Sequence, residues 1–256
     1  MTPQVPPRST LLGPRVDAIY VSFNRIVYTR ESFTALRENT DWSLVGTLYV
    51  FDDASTDGTA EWLREAIDGF PCPVRFHGEP FGGPVAAMNL YLDYRDEWNQ
   101  GHGEAAPDVF AKVDNDFVVC PGWLDELLAV LDRHPDLDVL GTEPFVGGPT
   151  APPDPARTIT PAPHVGGKGL IRSRIFDGGV RMNADGYQGW TQYQHQHEEI
   201  SKAWITPDLP CFGLDQIPFE PWVSLAAEYV EKGWHRYWPP YHPAGTYWTW
   251  WTPEFM

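Results

Sequence analysis

Basic residues are scarce in this sequence. Lysine and arginine total 18 against 35 aspartates and glutamates in 256 residues, a formal net charge of −17. A phosphodiester backbone needs clustered basic side chains, and an anionic lipid surface needs the same. The composition therefore argues against nucleic acid and acidic membranes as partners. A phosphate-bearing ligand would need a cation to screen the field. Cysteine is scarcer still: Cys72, Cys120 and Cys211 are all there is. Their spacing fits no metal motif, and so low an odd count makes no disulfide framework, so a reducing, cytoplasmic setting is expected. No apolar run reaches the length of a membrane-spanning helix. The opening MTPQVPPRSTLLGPR has no apolar core of a secretory signal and reads as a Pro-rich flexible tail over 1–15. No internal repeat is present.

What remains is an apolar fraction of 42%, enough for a substantial core. The length suits one large domain, expected over 16–256. VDAIYVS (Val16–Ser22), TLYVF (Thr47–Phe51), PVRFHG, DVFAKV (Asp108–Val113) and LDVLG (Leu137–Gly141) read as strands. Between them lie apolar stripes at helical spacing. Thr29 is expected to cap the first helix, with Phe33 and Leu36 inward, and Asp57 the second, with Trp62, Leu63, Ala66 and Ile67 inward. Pro84 and Pro121 stand at the expected first positions of two more. Alternation of strand and helix predicts an α/β fold with a mostly parallel sheet.

Three of these strands run into polar residues: Ser22-Phe23-Asn24-Arg25, Asp52-Asp53 and Asp114-Asn115-Asp116. In parallel sheets the ligand crevice lies beyond the carboxyl ends of the strands, so the three clusters are expected to converge. Adjacent acid and amide side chains cannot be buried without partners. The Asp-Asn-Asp is therefore either a solvated turn or a holder of something charged.

The second half differs in texture. Residues 143–168 carry seven prolines with little periodicity and read as a long irregular loop, a lid or disorder. GLIRSRIF reads as a strand returning to the sheet. A helix is expected near Trp190, short strands at AWIT and CFGL, and an amphipathic helix from Trp222 to Gly233. The last 35 residues hold six of the twelve tryptophans, which suggests a contact surface for an acceptor or for a homo-oligomer.

The run VDAIYVSFNR, LYVFDDASTDGT, GGPVAAMN, FAKVDNDFVVCPGWLDELL resembles the family 2-like glycosyltransferases of the GT-A fold. The resemblance covers 16–141 well and thins towards 215. It implies a nucleotide-binding half at 16–141 and an acceptor-side half at 142–256. It implies a nucleotide-sugar donor (UDP- or GDP-linked) and transfer of a sugar to an acceptor hydroxyl. By resemblance, Ser22, Phe23, Asn24 and Arg25 line the nucleoside pocket, Asp53 meets the base beside Asp52, and Asp114-Asn115-Asp116 is the D-x-D. A hard divalent ion, Mn²⁺ or Mg²⁺, bound by one or two carboxylates and diphosphate oxygens would neutralise the leaving group. Asp116 is the favoured direct ligand and Asp114 the second.

The chain departs from the family pattern further on. GYQGWTQYQHQHEE stands where many relatives write G-W-E-D, whose acids activate the acceptor. Here Trp190 is followed by Thr191 and Gln192, which cannot act as a base. Asp185, Glu198, Asp215 and Glu220 remain as candidate bases; a retaining reaction, or a non-catalytic binder, are the other readings. The usual third metal ligand is a histidine near CFGLDQ; Asp215 or His242 are the substitutes. Trp190 reads equally as core or as a sugar platform. His195 and His197, two apart, do not share a helix face and make no metal pair. Lys168, Arg172 and Arg174 read as surface charges or as aids to the leaving diphosphate. A sugar-1-phosphate nucleotidyltransferase is the other enzyme class with this kind of fold, but SFNR replaces its Gly-rich loop.

Overall fold

The structure is a computed structural model, and it describes residues 15–101, 105–142, 158–184, 189–206, 211–214 and 220–232. The first half alternates as expected: β1 (Val16–Ser22), α1 (Ile26–Asn39), β2 (Val45–Asp52), α2 (Thr59–Ala66), β3 (Val74–His77), α3 (Pro84–Gly101), β4 (Val109–Asp114), the short β5 (Phe117–Val118) and α4 (Trp123–Arg133). The second half adds β6 (Val139–Gly141), β7 (Thr158–Pro161), β8 (Gly169–Arg172), α5 (Gly189–Gln196), β9 (Lys202–Thr206), β10 (Phe212–Gly213) and α6 (Trp222–Glu231).

Eight strands form one sheet in the order β3-β2-β1-β4-β8-β6-β9-β7. β3, β2, β1 and β4 are mutually parallel. β8 runs antiparallel to both β4 and β6, and β7 runs antiparallel to β9. The parallel half is the part built from strand–helix crossovers, which parallel neighbours require. The central strands are buried on both faces, so they divide their apolar residues between two cores. Along β1, Val16, Ala18 and Tyr20 pack with Phe33 and Leu36 of α1, Leu63 of α2 and Leu127 of α4. Ile19 and Val21 pack on the other face with Met88 and Tyr91 of α3 and Trp190 and Tyr193 of α5. A third, small cluster joins Tyr28 of α1 to Tyr229 of α6 and to Leu214.

Several boundaries differ from the sequence reading. α1 starts at Ile26, three residues before Thr29, and Thr29 is fully buried inside it. The Asp57 carboxylate takes the capping role instead, because the loop after β2 lies over the start of α1. α4 starts at Trp123 rather than Pro121, after a Gly122 with φ 75°. GLIRSRIF is a strand only to Arg172 and then tightens into a 3₁₀ turn over Ser173–Phe176. The segment read as irregular over 143–168 contains β7, an edge strand paired with β9. No helix among the described residues is long and apolar enough to cross a membrane.

Candidate active site

The register of the sheet sets the three polar strand ends side by side. Ser22 of β1 stands opposite Asp52 of β2, and Val21 stands opposite Asp114 of β4. Ser22 Oγ donates to Asp52 Oδ2 at 2.8 Å. The same carboxylate accepts Ser55 N–H at 2.8 Å and Ser55 Oγ–H at 2.6 Å. Burial raises the Asp52 carboxyl above its usual range, opposed by these hydrogen bonds. Asp53 points elsewhere: its Oδ1 accepts the backbone N–H groups of Phe81 and Gly82 at 2.8 and 3.1 Å. It thus holds the turn that leads into α3.

Asn24, Arg25 and Ala54 have positive φ without being glycine. Such backbone is costly for an L side chain and persists only when its surroundings hold it. The holding contacts are present. Asn24 N–H donates to Ser55 Oγ at 2.6 Å, and Asn24 Oδ1 accepts Thr56 N–H at 2.7 Å. The loop after β1 is therefore bolted to the loop after β2. Asp57 completes the bolt, with Oδ2 accepting Ile26 N–H at 2.8 Å and Oδ1 accepting Thr59 N–H at 3.1 Å.

The Asp-Asn-Asp resolves into three different environments. Asn115 is buried, and its amide donates to Asn24 O and Thr29 Oγ1 and accepts from Arg25 Nη2. Asp116 lies between two cations: Arg25 Nη1 is 3.3 Å from Oδ2 and Lys168 Nζ is 3.5 Å from Oδ1. Asp114 is more open and is paired with Lys112, a lysine only 3% exposed. The solvated-turn reading of the motif does not describe this arrangement.

β5 and β10 pair antiparallel, and Leu214 N–H donates to Asp116 O at 2.7 Å. The 211–214 segment is thus seated on the D-x-D turn. Asp215 follows it in the chain but lies outside the described residues, as do Asp185 and His242. Glu220 is exposed and accepts from Ser224 Oγ at 2.7 Å. Glu198 is exposed beyond the end of α5. Trp190 is 6% exposed, its indole stacks with Tyr193, and its Nε1–H donates to Val165 O at 2.9 Å. It is packed as core, the first of the two readings the sequence left open. Thr191 is half-buried and Gln192 exposed.

A family model for glycosyl transferase family 2 matches residues 17–190. The chain belongs to that family. Among curated proteins none matches the sequence. Solved structures similar to this family 2 chain include the S. aureus TarS fragment 1–349 in complex with UDP-GlcNAc, with 13% identity and a TM-score of 0.57 over 86% of this chain and 73% of that one. Another is the mannosyltransferase PcManGT from Pyrobaculum calidifontis in complex with GDP-Man and Mn²⁺, with 16% identity and a TM-score of 0.57 over 88% of this chain and 64% of that one. The full TarS chain is longer, and this protein spans 43% of it. These likenesses establish the GT-A fold.

The donor set of this family 2 site suits a hard cation. Asp114 and Asp116 supply carboxylate oxygens at one strand end, and one or two carboxylates with ligand oxygens and water are what Mg²⁺ or Mn²⁺ takes. No group of three His, Cys, Asp or Glu gathers there among the described residues. An ion would share these carboxylates with Arg25, Lys112 and Lys168.

The sequence reading missed Ser55, Thr56 and Lys112, and the second contact of Asp57, to Ile26 N–H. The first two were visible as D-x-x-S-T-D-G, the spacing at which a carboxylate caps the backbone two or three residues on. Lys112 carried no such signal, because a lysine in a strand is usually an edge residue.

Proposed function

We propose that the protein transfers a sugar from a nucleoside-diphosphate donor, UDP- or GDP-linked, to an acceptor hydroxyl. The observation that carries this reading is the convergence of Ser22, Asn24 and Arg25, of Asp52 and Asp53, and of Asp114 and Asp116 at the carboxyl ends of the parallel strands β1, β2 and β4. Family membership and the sugar nucleotides bound by TarS and PcManGT support the same donor class.

In the reaction, the acceptor oxygen bonds to the anomeric carbon as the bond from that carbon to the diphosphate oxygen breaks. The diphosphate leaves with the electron pair, and the hydroxyl proton passes to a base. The chain's residues divide this work by position. Asn24 and Asp53 are assigned to the nucleoside pocket, each held by backbone hydrogen bonds so that little reorganisation is needed on binding. Asp114 and Asp116 would hold a Mn²⁺ or Mg²⁺, which when bound offsets the charge of the diphosphate. Arg25 keeps Asp116 aimed at that position. For the base, Asp215 is favoured by its place directly after Leu214, whose N–H is bonded to Asp116 O; Asp185 and Glu220 stay as alternatives.

The test is calorimetric titration with UDP, GDP, CDP and dTDP, with and without Mn²⁺, for the wild type and Asp116→Asn. Binding of one nucleotide, strengthened by the metal in the wild type alone, is expected. Wild-type protein that binds none of the four at millimolar concentration would sink the reading.

A further inference from the structure

A protein with a net charge of −17 that binds an anion must gather its cations locally. Three gather at the D-x-D. Arg25 and Lys168 flank Asp116, and Lys112 pairs with Asp114. Two carboxylates thus share three cations.

Lys112 is the unusual member. It sits on β4 with Phe110 on the same face, and the cluster around Phe110 is apolar. Burying an ammonium is costly unless it is paired. An ammonium has three donors, yet among the described residues Asp114 is its one hydrogen-bond acceptor. A carboxylate alone would be better served by a solvent-exposed lysine.

The segment that covers Lys112 is held with care. Gln194 of α5 is 1% exposed, and its amide grips Val165 at both polar groups: Oε1 accepts Val165 N–H and Nε2–H donates to Val165 O, each at 3.0 Å. Trp190 Nε1–H adds a second donor to the same carbonyl. From this clamp the strap runs Gly166-Gly167-Lys168. A methyl group at Gly167 would lie 3.6 Å from Lys112 Nζ, so the strap passes directly beside the buried ammonium. One residue on, Lys168 Nζ reaches 3.5 Å from Asp116 Oδ1 and lies 5.2 Å from the centre of the Phe117 ring.

We infer that Lys112 and Lys168 form a two-ammonium seat for the diphosphate of the donor, and that Gln194 is the residue that positions the strap carrying Lys168. The inference rests on the nucleotide-donor reading above. The D-x-D carboxylates hold the two lysines. When the diphosphate arrives, its oxygens become shared acceptors for both ammoniums. Charge-assisted contacts of this kind discriminate by the number of phosphates present.

The experiment compares nucleoside diphosphate with nucleoside monophosphate of the same base. UDP and UMP, then GDP and GMP, are titrated calorimetrically in Mn²⁺ and in EDTA against wild type, Lys168→Ala, Lys112→Met and Gln194→Leu, with thermal melting as a check on folding. The wild type should prefer the diphosphate. Lys168→Ala and Lys112→Met should each lower that preference about tenfold and leave monophosphate affinity within about twofold, in EDTA as well as in Mn²⁺. Gln194→Leu should lower the same ratio, a readout that loss of stability alone would not move. An unchanged ratio in a folded Lys168→Ala protein would reduce these lysines to counter-ions of Asp114 and Asp116 and overturn the inference. Wild-type protein that binds neither nucleotide would instead overturn the functional reading beneath it.

Discussion

Asn115 Nδ2 donates to the backbone carbonyl of Asn24 at 3.0 Å, and Arg25 Nη2 returns to Asn115 Oδ1 at 2.5 Å. The middle residue of the D-x-D is thereby a brace between the end of β4 and the loop after β1. It holds two consecutive residues at φ 49° and 60°, a backbone that side chains other than glycine resist.

Asn115→Ala should therefore act on both fold and site. It leaves the Asn24 carbonyl only its longer bond from Thr29 Oγ1 and takes the acceptor from a guanidinium nitrogen of Arg25, at a cost of about 1–3 kcal/mol. Denaturant unfolding measures this. Nucleotide affinity should fall with it, because Asn24 and Arg25 lose the contact that keeps them in place. Asn115→Ala with wild-type stability would show that the strained loop holds itself.

Asp57 caps two helices with one carboxylate, through Ile26 N–H and Thr59 N–H. A single lost cap costs about 1 kcal/mol, so Asp57→Ala should cost about 2 kcal/mol, and Asp57→Asn at least half of that, because its one amide oxygen keeps a single cap and its NH2 faces the other backbone donor. Comparing the two midpoints in urea separates a double cap from a merely exposed charge.

Asp17 lies at the other end of β1 and is 3% exposed, with Thr47 N–H donating to Oδ1 and Tyr91 Oη–H to Oδ2. Burial pushes its carboxyl up to about 6, against the opposing hydrogen bonds and the nearby Arg95 and Arg75. The folded protein then holds a proton that the unfolded chain has lost above pH ~4. Stability contributed by this group is full below that pH and declines as pH rises to about 6. The span corresponds to roughly 2–3 kcal/mol. Asp17→Asn keeps an acceptor for Thr47 and a donor for the Tyr91 oxygen, so it should be the more stable protein at pH 8 and should lose this part of the pH dependence. Parallel melting curves for the two proteins from pH 4 to 8 would refute the assignment.

Cys120 and Cys211 are buried with their sulfurs 3.6 Å apart, and Cys120 N–H donates to Cys211 Sγ at 3.3 Å. The Cys120 contact and burial hold the Cys211 thiol well above its usual range, and burial pushes Cys72 up to about 11. Thiolate is the reactive form. At pH 8 all three should resist an alkylating reagent in the native protein and react fully in denaturant, as mass spectrometry would count. Fast labelling of Cys211 in native protein would mean that β10 opens from β5 on the time scale of the reaction.

The α/β alternation was legible because it is local. A strand buried on both faces must be apolar along its length, and a helix on a sheet must be apolar at helical spacing; VDAIYVS and WLDELLAVL show each pattern within ten residues. The strand-end polar clusters were legible for the same reason, since only a few positions in so apolar a run can carry an acid. That they would meet followed from the rule that parallel strands end at one edge. The family resemblance supplied the chemistry expected of them.

Tertiary structure decided what each of those side chains touches. Whether Asn115 faces ligand or protein depends on the register between β1 and β4, which pairs residues about ninety positions apart. Trp190 became core because Val165, brought over it by the strap, offers a carbonyl to its indole. Lys112 carries no signal in its own neighbourhood; its meaning appears only when the glycine-flanked strap is laid beside it. Local periodicity is written in contiguous residues, but partners across a sheet are chosen by packing and register. The sequence alone determined the fold class and the place of the site, and packing determined which of its charges are braces and which are left to meet a ligand.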